Sequence, residues 1–216
     1  MAATVKFGSP IFEEQTRQKL ENLNVDDVMV SLEDINKEMA KEAMRKININ
    51  KLEALERVNG MKKDYGNGVS TRIMVYNGLG VPLQKRSSHD DSGRWSTNTL
   101  ADRIEVGEWS IGFHHKKAGS ATGSCGAVGY NILGYGNDDV LMIGWDTPWS
   151  GSNSAYCAVM TTSKWSRTSW DDIIEWAEDG PKANKIKFGR SLTKFDTDSE
   201  SSATLTVVAT RSDIGQ

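Results

Sequence analysis

Residues 109–149 read WSIGFHHKKAGSATGSCGAVGYNILGYGNDDVLMIGWDTPW, and this stretch decides the fold class. In WSIGFHHK, Trp109, Ile111, Phe113 and His115 fall on one side of an extended chain, and Ser110, Gly112, His114 and Lys116 on the other. That is the period of two expected of a strand with one buried, apolar face. The next segment, SCGAVGYNIL, sets glycines into a β-branched and aromatic run, which predicts bulges or a second backbone lying close across the sheet. DDVLMIGWD follows the turn residues Gly134, Gly136 and Asn137, so these two strands are expected to form a hairpin. Pro148, in the closing Asp146-Thr147-Pro148-Trp149, has no N–H for the ladder, and large aromatics gather around this stop. A ligand site is expected at that end of the sheet.

Toward the N-terminus, VSTRIMVYN alternates Val69, Thr71, Ile73 and Val75 against Ser70, Arg72, Met74 and Tyr76, which predicts a further strand. Asn77-Gly78 supplies a turn, and a return strand begins near Val81. Residues 86–101 are polar apart from Trp95 and read as a loop, with a short strand over 103–106. Before Tyr65-Gly66-Asn67-Gly68 the texture differs: residues 1–65 are about one-third charged, lack Trp and space their apolar residues helically. Val28, Leu32, Ile35, Met39 and Ala43 form one stripe after Asn24. Asn50 and Glu53 resemble a capping box for a second helix, with Leu52, Leu55 and Val58 inward and Gly60 as its stop. The boundary therefore separates a charged helical arm, 1–65, from a β domain, 66–216. Interspersed Glu and Lys predict an arm packed on the β domain; membrane insertion or a partner helix is the alternative use of its apolar stripe.

Toward the C-terminus, SGSNS reads as a loop and AYCAVMTTS as a strand. Thr168-Ser169-Trp170-Asp171-Asp172 opens one late helix with a hydroxyl cap and acids in its first turn, stopped by Gly180-Pro181. KIKFG and ATLTVVATR supply closing strands, and SDIGQ reads as a frayed tail. Many short strands with no βαβ alternation predict a mainly β fold, an antiparallel β-sandwich with a helical arm.

The 216 residues carry 26 basic and 29 acidic side chains, a net charge of −3. No global field attracts nucleic acid, and none is expected as a partner. The N-terminus lacks the layout of a signal peptide, and no window reaches the roughly 18 apolar residues of a membrane span. A cytoplasmic chain with at most peripheral membrane contact is expected. Cys125 and Cys157 lie in apparent strands and read as buried free thiols.

His114 and His115 are adjacent on a strand, so they face opposite ways and cannot share one metal ion. His115 reads as a hydrogen-bonded core residue, and His89, in HDDSG, as part of a solvated loop. No calcium-loop spacing, P-loop ending or nucleophile elbow is present, and neither metal nor cofactor is expected. The aromatic set is more informative. Trp145, Pro148, Trp149, Tyr156, Trp170 and Trp176 come from a strand end, its turn, the next strand and the late helix. Converging rings at a sheet rim attract quaternary ammonium groups or stack on sugars; Trp149, beside proline in a turn, is the ring expected to be exposed. A hydrophobic minicore fixing the helix is the other use of Trp176.

These residues also carry a family likeness. From Gly66 onward, VSTRIMVYN, GEWSIGFHHK, ATGSCGAVGYNI, VLMIGWDTPW and the Trp-bearing helix resemble the plant jasmonate-induced proteins of roughly 23 kDa. The charged arm and the YGNGVST entry to the first strand are similar too. At greater distance, the β part resembles the actinoporin fold, a β-sandwich flanked by helices. The resemblance implies a phosphocholine-binding aromatic cluster at Pro148, Trp149, Tyr156, Trp170 and Trp176, and a stress-responsive cytosolic plant protein. The expected function is non-catalytic binding of a lipid headgroup, glycan or small metabolite at an aromatic rim. Two alternatives stand beside it: an enzyme using His114, His89, Asp146 or Asp172 on a plant metabolite, and an interaction module working through the arm.

Overall fold

The computed structural model describes residues 5–23, 29–134 and 139–214. Its strands are β1 (Val5–Phe7), β2 (Ser70–Gly78), β3 (Leu83–Ser92), β4 (Arg94–Trp95), β5 (Arg103–Ile104), β6 (Trp109–His115), β7 (Ser124–Ile132), β8 (Val140–Thr147), β9 (Ser154–Met160), β10 (Ala183–Phe188), β11 (Ser191–Thr197) and β12 (Ser202–Arg211). Its helices are α1 (Glu13–Leu23), α2 (Leu32–Lys46), α3 (Lys51–Tyr65), α4 (Thr162–Trp165) and α5 (Trp170–Glu178). One sheet runs β1-β6-β2-β12-β11-β10, with β4 also on β6; the other runs β5-β3-β7-β8-β9. They stack through Ile73, Val75, Leu205 and Val207 on one side and Val128, Tyr130, Leu141, Ile143 and Cys157 on the other. Helices cover both outer faces, so the mainly β sandwich has four layers.

The arm explains why β6 buries both faces rather than one. Trp109, Ile111 and Phe113 pack with Met74 and Tyr76 of β2 against Ile35, Met39 and Ala43 of α2 and Ala54, Val58 and Met61 of α3. The Tyr76 hydroxyl donates to the Ala43 carbonyl at 2.5 Å and the Trp109 indole N–H to Ile47 at 2.9 Å. Buried Arg211 on β12 donates to Glu33 of α2 at 2.6 Å and to Asp213 at 3.0 Å. Ser212 N–H donates to the Arg190 carbonyl at 2.7 Å, so the tail through Ile214 is anchored, not frayed.

Several sequence expectations change. The first residues of the arm include a strand, β1, paired with β6. Helix α2 is capped by Ser31, whose oxygen accepts from Asp34 N–H at 3.1 Å; Asn24, Val28, Gly136 and Asn137 lie outside the described residues. Asn50 adopts a left-handed φ of 63° and makes no side-chain cap, and α3 runs through Gly60 to Tyr65. Val58 and Met61, packed on either side of Gly60, carry the helix past it. Residues 86–101 are not a loop: they include most of β3 and all of β4, polar because one face of β3 meets solvent. A one-turn helix, α4, precedes the late helix, and β11 adds a strand between the two closing segments KIKFG and ATLTVVATR. The sandwich is mixed, because β12 pairs with β2 in parallel from Ser202↔Ser70 to Thr210↔Gly78.

The glycines of β7 do not bulge. The register shifts lie on β3, between Lys85 and Ser87 and between Asp90 and Ser92. Gly129 instead leaves room for the Trp165 ring, which a Cβ would meet at 2.5 Å, and Gly126 does the same for Trp145 at 2.9 Å.

Candidate functional site

Edge strand β9 turns Ala155, Cys157 and Val159 into the sandwich and Tyr156 and Met160 outward. Helix α5 lies on this outer face through Ile173, Ile174 and Ala177. Ser169 starts it with a capping box: its oxygen accepts from Asp172 N–H at 3.1 Å, and Asp172 accepts from Ser169 N–H at 3.0 Å. Trp176 is thereby turned toward Tyr156, with ring centroids 5.9 Å apart. Helix α4 buries Trp165 and places the Lys164 ammonium 5.4 Å from the Trp176 ring centre. Strand β10, at the edge of the other sheet, closes the far wall with Ile186, Lys187 and Phe188; Asp179, Gly180 and Pro181 form one end. These elements enclose an open recess of about 600 Å³ where the two sheets end. Its wall combines aromatic faces with two ammonium groups and one carboxylate, a set that fits a zwitterion.

The six aromatic-rim residues do not meet at one point. Trp145 is only 1 % exposed; it points into the sandwich, edge-on to Trp95 and His114 at 5.3 and 5.2 Å. Its expected place at a rim is corrected by strand parity, since it shares its face with Leu141 and Ile143. Trp170 stacks on His89 at 5.2 Å across the outer face of the second sheet, so His89 is no loop residue. Pro148 and Trp149 follow β8, and Trp149 is 54 % exposed with the Lys116 ammonium 5.0 Å from its ring centre. Only Tyr156 and Trp176 line the recess. Lys164, Asp179, Pro181, Lys187 and Phe188 were missed; the period-two pattern of KIKFG was the one available signal, for Phe188.

The titratable groups considered for catalysis are placed otherwise. His114 is fully buried, with Nδ1 2.8 Å from Ser124 Oγ and Nε2 3.5 Å from Asp90. This Asp–His–Ser alignment has the order of a hydrolase relay, but His114 and Ser124 are sealed inside the sandwich, while the Asp90 carboxylate reaches solvent. Burial lowers the His114 pKa against the pull of Asp90, keeping the ring neutral. His115 faces the arm, against Tyr65 at 4.4 Å. Asp172 is spent on the cap, whose hydrogen bonds lower its pKa.

On the β7–β8 side of α5, the carboxylates of Asp91 and Glu178 and the Cys125 sulfur lie within 4.8 Å of one another. Asp146 stands beside them, its pKa raised to about 6 by burial and then by Glu178. Burial also pushes both cysteine thiols well up, and both are free.

Among the described residues no helix is long and apolar enough to cross a membrane. The 23 kDa jasmonate-induced protein of Hordeum vulgare is 30 % identical over 142 residues, 63 % of this chain and 68 % of the relative. The likeness to the jasmonate-induced proteins is thus borne out. The crystal structure of the lipid-binding protein Nakanori superposes with a TM-score of 0.83 at 25 % identity, over 96 % of this chain and 100 % of that one. The family model described as Nakanori-like protein matches residues 7–211, so the chain belongs to the Nakanori-like protein family.

Proposed function

We propose that this protein is a non-catalytic binding protein that takes a phosphocholine-type lipid headgroup in the recess between β9, α5 and β10. The observation that carries this reading is the Tyr156–Trp176 ring pair, 5.9 Å apart on the wall of an open cavity of about 600 Å³. The ammonium of Lys164 already sits over one ring face. A quaternary ammonium gains roughly 0.5–2 kcal/mol per ring by the same attraction. Asp179 adds a counter-charge for the ammonium, and Lys164 and Lys187 supply cations for the phosphate. The solved relative described as lipid binding supports a lipid over a glycan or a free metabolite. The Hordeum vulgare relative, described as jasmonate-induced, supports a stress-responsive role in a plant.

Vesicle flotation tests the reading, with phosphatidylcholine or sphingomyelin vesicles against phosphatidylglycerol vesicles. Wild type floats with the choline lipids, and Trp176→Ala weakens that binding roughly tenfold. Failure of the wild type to float, or equal flotation of Trp176→Ala, rejects the site.

Exposed Phe12, Leu23, Met29 and Leu32 on the arm favour a second reading, contact with a partner through that surface. Light scattering that shows monomers at every concentration removes self-association from it.

A further inference from the structure

A second cavity, of about 550 Å³, lies between α3 and the β4 side of β6, on the helix-covered face of the first sheet. Tyr65, Phe113 and His115 line it together with the segment 95–98, and exposed Arg57, Asp64 and Arg94 stand at its mouth. Arg94 pairs with His115 in the β4–β6 register, so the two side chains leave the sheet on the same face. Tyr65 stacks on the His115 ring at 4.4 Å and meets Phe113 edge-on at 5.5 Å.

The walls are preset. Ser96 N–H donates to the Phe113 carbonyl at 2.9 Å, Phe113 N–H donates to Asn98 at 3.2 Å, and Ser96 Oγ accepts from Asn98 N–H at 3.1 Å. Several other cations of the arm are matched: Arg17 with Glu13, Arg45 with Glu42, Lys46 with Glu42. Arg57 and Arg94 have no ion-pair or hydrogen-bond partner among the described residues. Two free guanidiniums at the mouth of an aromatic-floored cavity offer the forked donors that oxyanions accept. Asp64 offsets one of them, leaving a single net positive charge.

We infer that this cavity binds a small organic monoanion, a carboxylate carried on a flat apolar ring system, held between the arm and the sheet. The ring system lies against Tyr65 and Phe113, and the carboxylate meets Arg57 and Arg94. The site is separate from the recess beside Trp176.

Isothermal titration calorimetry on the full chain tests it, with 2-naphthoate, its neutral analogue 2-naphthylmethanol and inorganic phosphate as probes. One saturable site for 2-naphthoate is expected, with the neutral analogue and phosphate at least tenfold weaker. The Arg57→Gln/Arg94→Gln variant, altered only at exposed side chains, loses at least tenfold in affinity, and Trp176→Ala loses none. No saturable binding of 2-naphthoate overturns the inference. So does equal binding by the neutral analogue, by phosphate or by the double variant, and so does loss of binding in Trp176→Ala.

Discussion

Asp146→Asn is expected to stabilise this protein, and only above a defined pH. Asp146 lies on β8 with its pKa raised from 3.8 to about 6, first by burial, then by the carboxylate of Glu178, with Asp91 adding to it and the Cys125 thiol opposing. A carboxyl raised in the folded state favours folding when protonated. The stability it contributes is fully present below about pH 3.8 and is lost as pH rises through about 6. A shift of about 2 units corresponds to at most ~3 kcal/mol, and solvent reaching this half-buried group reduces that to about 1–2 kcal/mol. Asparagine keeps the shape and removes the charge. Urea unfolding of both proteins from pH 4 to 8 measures the gap. The variant is expected to gain about 1–2 kcal/mol at pH 8, with the gap closing toward pH 4. A gap that is absent, reversed or constant across that range refutes the reasoning.

Other substitutions test the packing. Gly129→Ala places a methyl 2.5 Å from the Trp165 ring and is expected to cost about 1–3 kcal/mol, a penalty that a double-mutant cycle with Trp165→Leu reduces. Trp145→Ala should cost about 3–5 kcal/mol and Trp149→Ala less than about 0.5, as denaturant midpoints will show, because one ring is buried and the other is not. Asp213 is held down to about 2, first by its hydrogen bond from Arg211. Its contribution is present above about pH 3.8 and lost as pH falls toward 2. Asp213→Asn should therefore cost about 1 kcal/mol at pH 7, after screening, and progressively less in acid, read by thermal melts.

The central strands were legible because each buries at least one complete face, and burial writes a period of two into the sequence. That period found β2 and β6; β-branched and aromatic runs between turn residues found β7, β8, β9 and β12. The period failed for β3, whose run RSSHDD is polar because one face is wet, and it is faint in β11, where buried Thr193 and Phe195 alternate with exposed Lys194 and Asp196 but only Phe195 of the four is apolar. Parity applied to β8 and β9 separates Trp145 from Tyr156: the first shares its face with Ile143, and the second faces opposite to Cys157. The rest of the recess was not legible. Lys187 and Phe188 reach it only because β10 packs beside β9, a meeting of two sheet edges that no local pattern records. The left-handed turn at Asn50 and the passage of α3 through Gly60 are likewise set by the face the arm buries, against the local cap and stop signals.

The proposed choline headgroup packs against the rings of Tyr156 and Trp176. A crystal structure of the protein soaked with phosphocholine tests it most directly. The trimethylammonium is expected against those two rings, with the phosphate toward Lys164. Phosphocholine bound instead against Trp149 or Trp170, with the recess beside β10 unoccupied, contradicts it.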